Sequence, residues 1–218
     1  FDAAGRRLYP RQPQIVIGPP HPGLEPEAME KNMFIQTETT PNPATLKFLP
    51  SQTVLGQGAM EFRSAAEAGK APLAQALLAI PGVTAVMYGS DFVSVTKDAT
   101  DWAHLKPAIL GTIMEHFTAE APLLADDAAT SDSQDGEFFE PADAETVATI
   151  KELIETRVRP AVAGDGGDIV FRGFRDGVVY LGMKGACSGC PSSTATLRNG
   201  IENLLRHFLP QVKAVERI

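Results

Sequence analysis

Two cysteines carry the most visible chemistry in this sequence. Cys187 and Cys190 stand in the run Lys184-Gly185-Ala186-Cys187-Ser188-Gly189-Cys190-Pro191, and they are the only cysteines among 218 residues. Two thiolates with two residues between them can grip one metal centre or close a disulfide, and the spacing alone does not choose. Pro191 is favoured in a first helical turn, because its missing N–H would be unsatisfied there anyway. Both cysteines are therefore expected on the loop entering a helix, where free amide N–H groups and the positive dipole end favour thiolate. Ser188 and Gly189 add little bulk, and Lys184 supplies a further positive charge. This setting is expected to expose sulfur rather than bury it.

Three chemistries compete for the pair. A thioredoxin-like oxidoreductase uses a similar placement, but that fold needs further strands and only 28 residues follow Cys190. A structural zinc site needs four ligands. The one downstream histidine, His207, lies about 25 Å along a helix and cannot close the same site. A half-site completed by a second copy of the chain would bring four thiolates together, the usual complement of a [4Fe–4S] cluster.

The elements that must position the cysteines read as α-β-β-α-β over residues 146–218. Val147, Ile150, Ile154 and Val158 mark one face of an amphipathic helix that Pro160 and the glycines after Ala163 should end. Ile169-Val170-Phe171 and Val178–Leu181 read as strands around Arg175-Asp176-Gly177. Leu197, Ile201, Leu204, Leu205 and Phe208 define the final helix, and Val212–Ile218 can return as a strand. A core of that size is marginal alone.

Residues 33–125 read as a second small α+β domain. Strands are expected at 33–37, 45–49, 83–88 and 92–96, and helices around Leu73–Ile80 and Leu105–Phe117. Pro107 should either begin the second helix or kink it. His104 and His116 lie twelve residues apart, about 120° around a helix, and cannot share a metal. No motif in this domain carries chemistry, so it reads as an interaction module.

Charge divides the rest. Residues 126–145 hold eight acids and no base, which equals the whole formal charge of −8. Such a stretch repels itself and reads as a flexible acidic linker. The rival reading is a partner-binding motif anchored by Phe138 and Phe139. Residues 1–32, with six prolines, read as a disordered extension. The acidic balance argues against a nucleic-acid binder, and no apolar run is long enough to span a membrane. A cytoplasmic location is expected, with the mitochondrial matrix as the alternative.

From Gly166-Gly167-Asp168 through the cysteine run to Ser192-Ser193, Thr196-Leu197 and Gly200-Ile201-Glu202, the chain resembles the NifU-like C-terminal domain. Phe34 through Pro43, with Leu46-Lys47-Phe48, is similar to the N-terminal domain of Nfu-type iron–sulfur proteins. Together the two stretches account for residues 33–218 apart from the acidic segment. The resemblance implies a scaffold or carrier, not a turnover enzyme. It would hold a labile [4Fe–4S] cluster between two protomers through Cys187 and Cys190 and pass it to apo-proteins, itself served by upstream assembly proteins. Arg172, Arg175, Arg198 and Arg206 could dock acidic acceptors or serve only as solvated charge. A thiol–disulfide redox protein using the same cysteines stays open.

Overall fold

Period-two alternation builds the first sheet. The structure, a computed structural model, describes residues 34–125, 136–189 and 191–218, with residues 191–193 described by backbone alone. The expected extension at 1–32, the first half of the acidic stretch and Cys190 lie outside the described residues. Strands β1 (Gln36–Thr39), β2 (Thr45–Leu49), β3 (Met60–Phe62), β4 (Val83–Tyr88) and β5 (Val93–Lys97) form one antiparallel sheet in the order β1-β2-β5-β4-β3. Successive side chains point to opposite faces. Leu46, Phe48, Val86, Tyr88, Val93 and Val95 therefore share a face, packed against helices α1 (Pro72–Leu78) and α2 (Trp102–Thr118) through Leu73, Leu77, Ile109 and Ile113. Asp101 caps α2 by accepting from the Ala103 N–H, and the helix runs through Pro107 without ending there. β3 and the 3-10 turn Glu67–Lys70 carry no periodic signal and were not expected.

The C-terminal domain follows the expected order. Helix α3 (Ala144–Leu153) leads into a π-helical turn (Ile154–Val158) and α4 (Arg159–Gly164), then β6 (Gly167–Arg175), β7 (Val178–Gly185), α5 (Pro191–Phe208) and β8 (Ala214–Arg217). Pro160 does not end the first helix as expected. Proline cannot donate and its ring crowds the carbonyl four residues back. One wider turn absorbs the misfit, with the Arg159 N–H donating to the Ile154 carbonyl. β6 and β7 form a hairpin whose turn residues, Asp176 and Gly177, both have positive φ (54° and 84°), and β8 pairs in parallel with β7. Val179, Leu181 and Met183 alternate inward from β7 onto Val147, Ile150, Ile201 and Leu205.

The linker expected at 126–145 ends early. Phe138 bridges Gly173 on β6, exchanges backbone hydrogen bonds with Arg172 and Phe174, and stacks against Tyr180. Glu137 pairs with Lys151. Charge density alone missed this because Phe138, set between Glu137 and Glu140, is an aromatic ring with a glycine seat: a Cβ on Gly173 would stand 2.5 Å from the ring. Phe139 remains exposed.

Candidate functional site

The turn that carries Cys187 is built by glycines. β7 ends at Gly185, held at φ +62° opposite Gly167 of β6. The Ser188 N–H and Oγ both donate to the Gly185 carbonyl, and the Ala186 N–H donates to the Gly166 carbonyl. Downstream, Thr194 Oγ1 in the first turns of α5 donates to the Cys187 carbonyl. Pro191 opens α5, as its type predicts. Cys187 thus sits between a strand end and a helix start; Cys190 is outside the described residues.

Where the sulfur points is not what the motif suggests. Cys187 is a free thiol, only 6% exposed, and belongs to the same apolar cluster as Val158, Ile169, Ile201 and Leu205. A Cβ on Gly167 would stand 2.5 Å from its Sγ, so Gly167 is the seat of the sulfur. Burial pushes the thiol up to about 12, and the carboxylates of Asp165 and Asp168 act in the same direction. The expectation of an exposed, thiolate-favouring Cys187 is therefore corrected. The helix dipole is outweighed by desolvation and two nearby negative charges.

Asp168 is itself buried and held by Arg159, whose Nε and Nη2 donate to its two carboxylate oxygens at 2.9 and 3.0 Å. Arg159 also reaches Glu155, and these partners hold its guanidinium well above the usual arginine range. Arg159 is the first residue after the π turn and stands next to Pro160. Beside the thiol opens a largely apolar groove of about 610 Å³, lined by Cys187, Asp165, Val158, Leu197, Ile201 and Leu204. Among the described residues no three His, Cys, Asp or Glu side chains converge as a metal site.

The remaining expected residues scatter. Lys184 does not face the sulfur; its Nζ donates to the Ala59 carbonyl of the N-terminal domain. Arg206 pairs with Glu202, and Arg175 lies over the Phe138 ring. Arg198 Nε is buried without a hydrogen-bond partner among the described residues. Residue types missed Glu61, Arg63 and Asn42, which the fold brings to the cysteine turn from more than a hundred residues away. Only the paired glycines at 166–167 offered a local signal.

A family model described as the scaffold protein Nfu/NifU N-terminal domain matches residues 35–120, and one described as the NifU-like domain matches residues 150–216. The chain is 47% identical over 188 residues to the Homo sapiens protein named NFU1 iron-sulfur cluster scaffold homolog, mitochondrial, covering 85% of this chain and 72% of that one. It is 50% identical over 190 residues to NifU-like protein 5, mitochondrial, of Arabidopsis thaliana, covering 86% and 68%. Among solved structures, a NifU-like protein from Saccharomyces cerevisiae aligns with TM-score 0.41 at 26% identity, over 50% of this chain and 99% of that one.

Proposed function

Because the chain belongs to the Nfu-type iron–sulfur scaffold family, we propose that it is a cluster carrier: Cys187 and Cys190 of two chains hold one [4Fe–4S] cluster between them and pass it to apo-proteins. The observation that carries the reading is the cysteine inventory placed on the fold. The chain has two cysteines in all, Cys190 standing directly before Pro191 in sequence and Cys187 lying on the turn after β7, so one chain offers half of a four-thiolate set. Sharing between two copies of the same turn completes it.

The cluster is cargo, and its handling needs no redox step. In each exchange an acceptor thiol loses its proton and bonds iron while one Fe–S bond to Cys187 or Cys190 breaks; the released sulfur takes up the proton. Four such exchanges move the cluster, and the carrier is recovered with its thiols restored. The human and Arabidopsis relatives are named as mitochondrial, which favours a mitochondrial setting over the cytoplasm. No helix among the described residues is long and apolar enough to cross a membrane.

The test is iron and acid-labile sulfide per chain after anaerobic reconstitution, with the mass of the same sample. About two irons and two sulfides per chain, in a dimer, is expected for one bridging cluster. Cys187→Ser and Cys190→Ser should each abolish it. Equal monomeric mass for apo and loaded protein would refute sharing. Metal-free protein with a reversible Cys187–Cys190 disulfide would establish the redox reading instead.

A further inference from the structure

An antiparallel sheet with helices on one side ordinarily leaves its other face to water. The first sheet does not. Lys47, Ser94 and Met87 form a cross-strand row on the face away from α1 and α2, and all three are buried, at 8, 2 and 1% exposure. What covers them is the C-terminal domain, and its point of contact is the cysteine turn.

The contacts converge on residues 184–189. Met87 lies under Gly185, where a Cβ would stand 2.8 Å from its sulfur. Glu61 on β3 accepts the Gly185 N–H at 2.9 Å through one carboxylate oxygen and pairs with Arg63 at 3.0 Å through the other. Arg63 Nη2 in turn donates to Ser188 Oγ at 3.0 Å. Lys184 reaches the Ala59 carbonyl, and Asn42 Nδ2 stands where a Cβ on Gly189 would be 2.9 Å away. The N-terminal domain therefore holds the turn from β3 on one side and from the Thr40–Pro43 turn on the other.

The nature of these contacts separates a cover from a permanent core. The two large apolar clusters do not merge across the boundary. Among the described residues a small cluster of Ala59, Met87 and Phe92, with Leu49 and Ala163, spans it, beside hydrogen bonds to charged or backbone groups. Asn42 Nδ2 is buried there without a partner among the described residues, which weakens the docked state. Boundaries of this polar kind open and close.

We infer that the N-terminal domain is a cover for the cysteine turn: Glu61, Arg63 and Met87 hold residues 184–189 closed with Cys187 inside, and cluster loading requires the cover to lift. This rests on the carrier reading, and it gives the N-terminal domain a role in the same event. A second copy must approach the turn that the first sheet occupies, so docking and cluster sharing compete. By linkage, a cluster that binds the open form weakens docking by the same factor that docking weakens the cluster.

The experiment uses the full chain carrying Cys190→Ser, so that Cys187 is the one thiol, and follows its alkylation by iodoacetamide at neutral pH. The Glu61→Ala/Arg63→Ala pair should speed alkylation by about tenfold or more, because two hydrogen bonds involving charged groups hold the closed form. Met87→Ala should raise it less. Trp102, the single tryptophan, reports the fold of the N-terminal domain. Unchanged alkylation in both variants, with the Trp102 unfolding midpoint of the parent, would overturn the cover. Should a variant not fold, amide exchange at Gly185 in the unsubstituted chain decides: protection in the apo form and its loss on cluster loading is expected, and protection kept after loading overturns it. An unsubstituted chain that takes up no cluster overturns the carrier reading alone, since the alkylation rates stand without cargo.

Discussion

The two domains place chemistry oppositely with respect to their cores. In the N-terminal domain, Phe48, Val86, Ile109 and Ile113 fill the space between a five-stranded sheet and two helices, and no group in that core can exchange a proton or bind a metal except the Tyr88 hydroxyl, which burial keeps neutral. In the C-terminal domain a three-stranded sheet has the proposed ligand Cys187 as a member of its core. Using that sulfur means disturbing the packing that folds the domain. On the carrier reading the first domain takes no part in ligand exchange and can stay rigid, whereas the second must open locally to expose its sulfur. Regions of that kind belong to the low-stability end of a structure. The cover supplied by the first domain compensates for this.

The largest effects that test the contrast come from equal truncations in the two cores. Leu205→Ala and Ile113→Ala, both at 0% exposure, should each cost about 3 kcal/mol. With Cys190→Ser in the background, Leu205→Ala should raise Cys187 alkylation about a hundredfold, the same free energy expressed as an opening equilibrium. The Trp102 fluorescence transition should move little. Ile113→Ala should do the reverse, lowering the Trp102 midpoint and raising alkylation by less than about tenfold on the same scale. If both variants shift both probes equally, the domains unfold as one unit and the contrast fails.

Much of this contrast was legible in the residues. Strands at 45–49, 83–88 and 92–96 announced themselves by alternation, and the C-terminal order α-β-β-α-β followed from periodicity and turn residues. Pro191 placed the start of α5. What local patterns could not carry was anything set by distant packing. Lys47 is the polar residue of an alternating strand, yet the second domain covers it and its ammonium donates to the Gly164 carbonyl. Cys187 reads as exposed because the motif shows the helix start but not Gly167, twenty residues earlier, where the sulfur rests. The acidic segment misled for a similar reason, since net charge averages over Phe138 and hides its seat.

That segment gives the middle-sized prediction. A Cβ on Gly173 would come within 2.5–2.6 Å of the Phe138 ring, so Gly173→Ala should destabilise by about 2 kcal/mol through overpacking. Phe138→Ala should destabilise as well by losing burial against Tyr180. The double variant should be no worse than Phe138→Ala alone, because the clash is gone; coupled neighbours do not add. Chemical denaturation of the four proteins reads this directly. Additive losses would mean that residues 136–145 form no part of the C-terminal domain, and the boundary would return to the end of the acidic stretch.

The smallest effect probes the core cysteine itself. The Cys187 thiol titrates near 12 when folded, whereas an unfolded thiol titrates near about 8.5. The fold therefore favours the neutral form, and its stabilisation is complete below the unfolded value. As pH rises past that value the unfolded chain loses its proton first, and stability drains until the folded thiol also ionises. Comparing the Cys190→Ser chain with and without Cys187→Ala isolates this one group from the lysines and tyrosines that titrate nearby. The stability gap between the two should be constant from pH 6 to 8 and shrink by about 1 kcal/mol by pH 9.5. No side chain in the N-terminal core titrates in that window, since burial moves Tyr88 upward and out of it. A gap that stays flat to pH 9.5 would place the sulfur in contact with water in the apo chain, and the two cores would then differ in size alone.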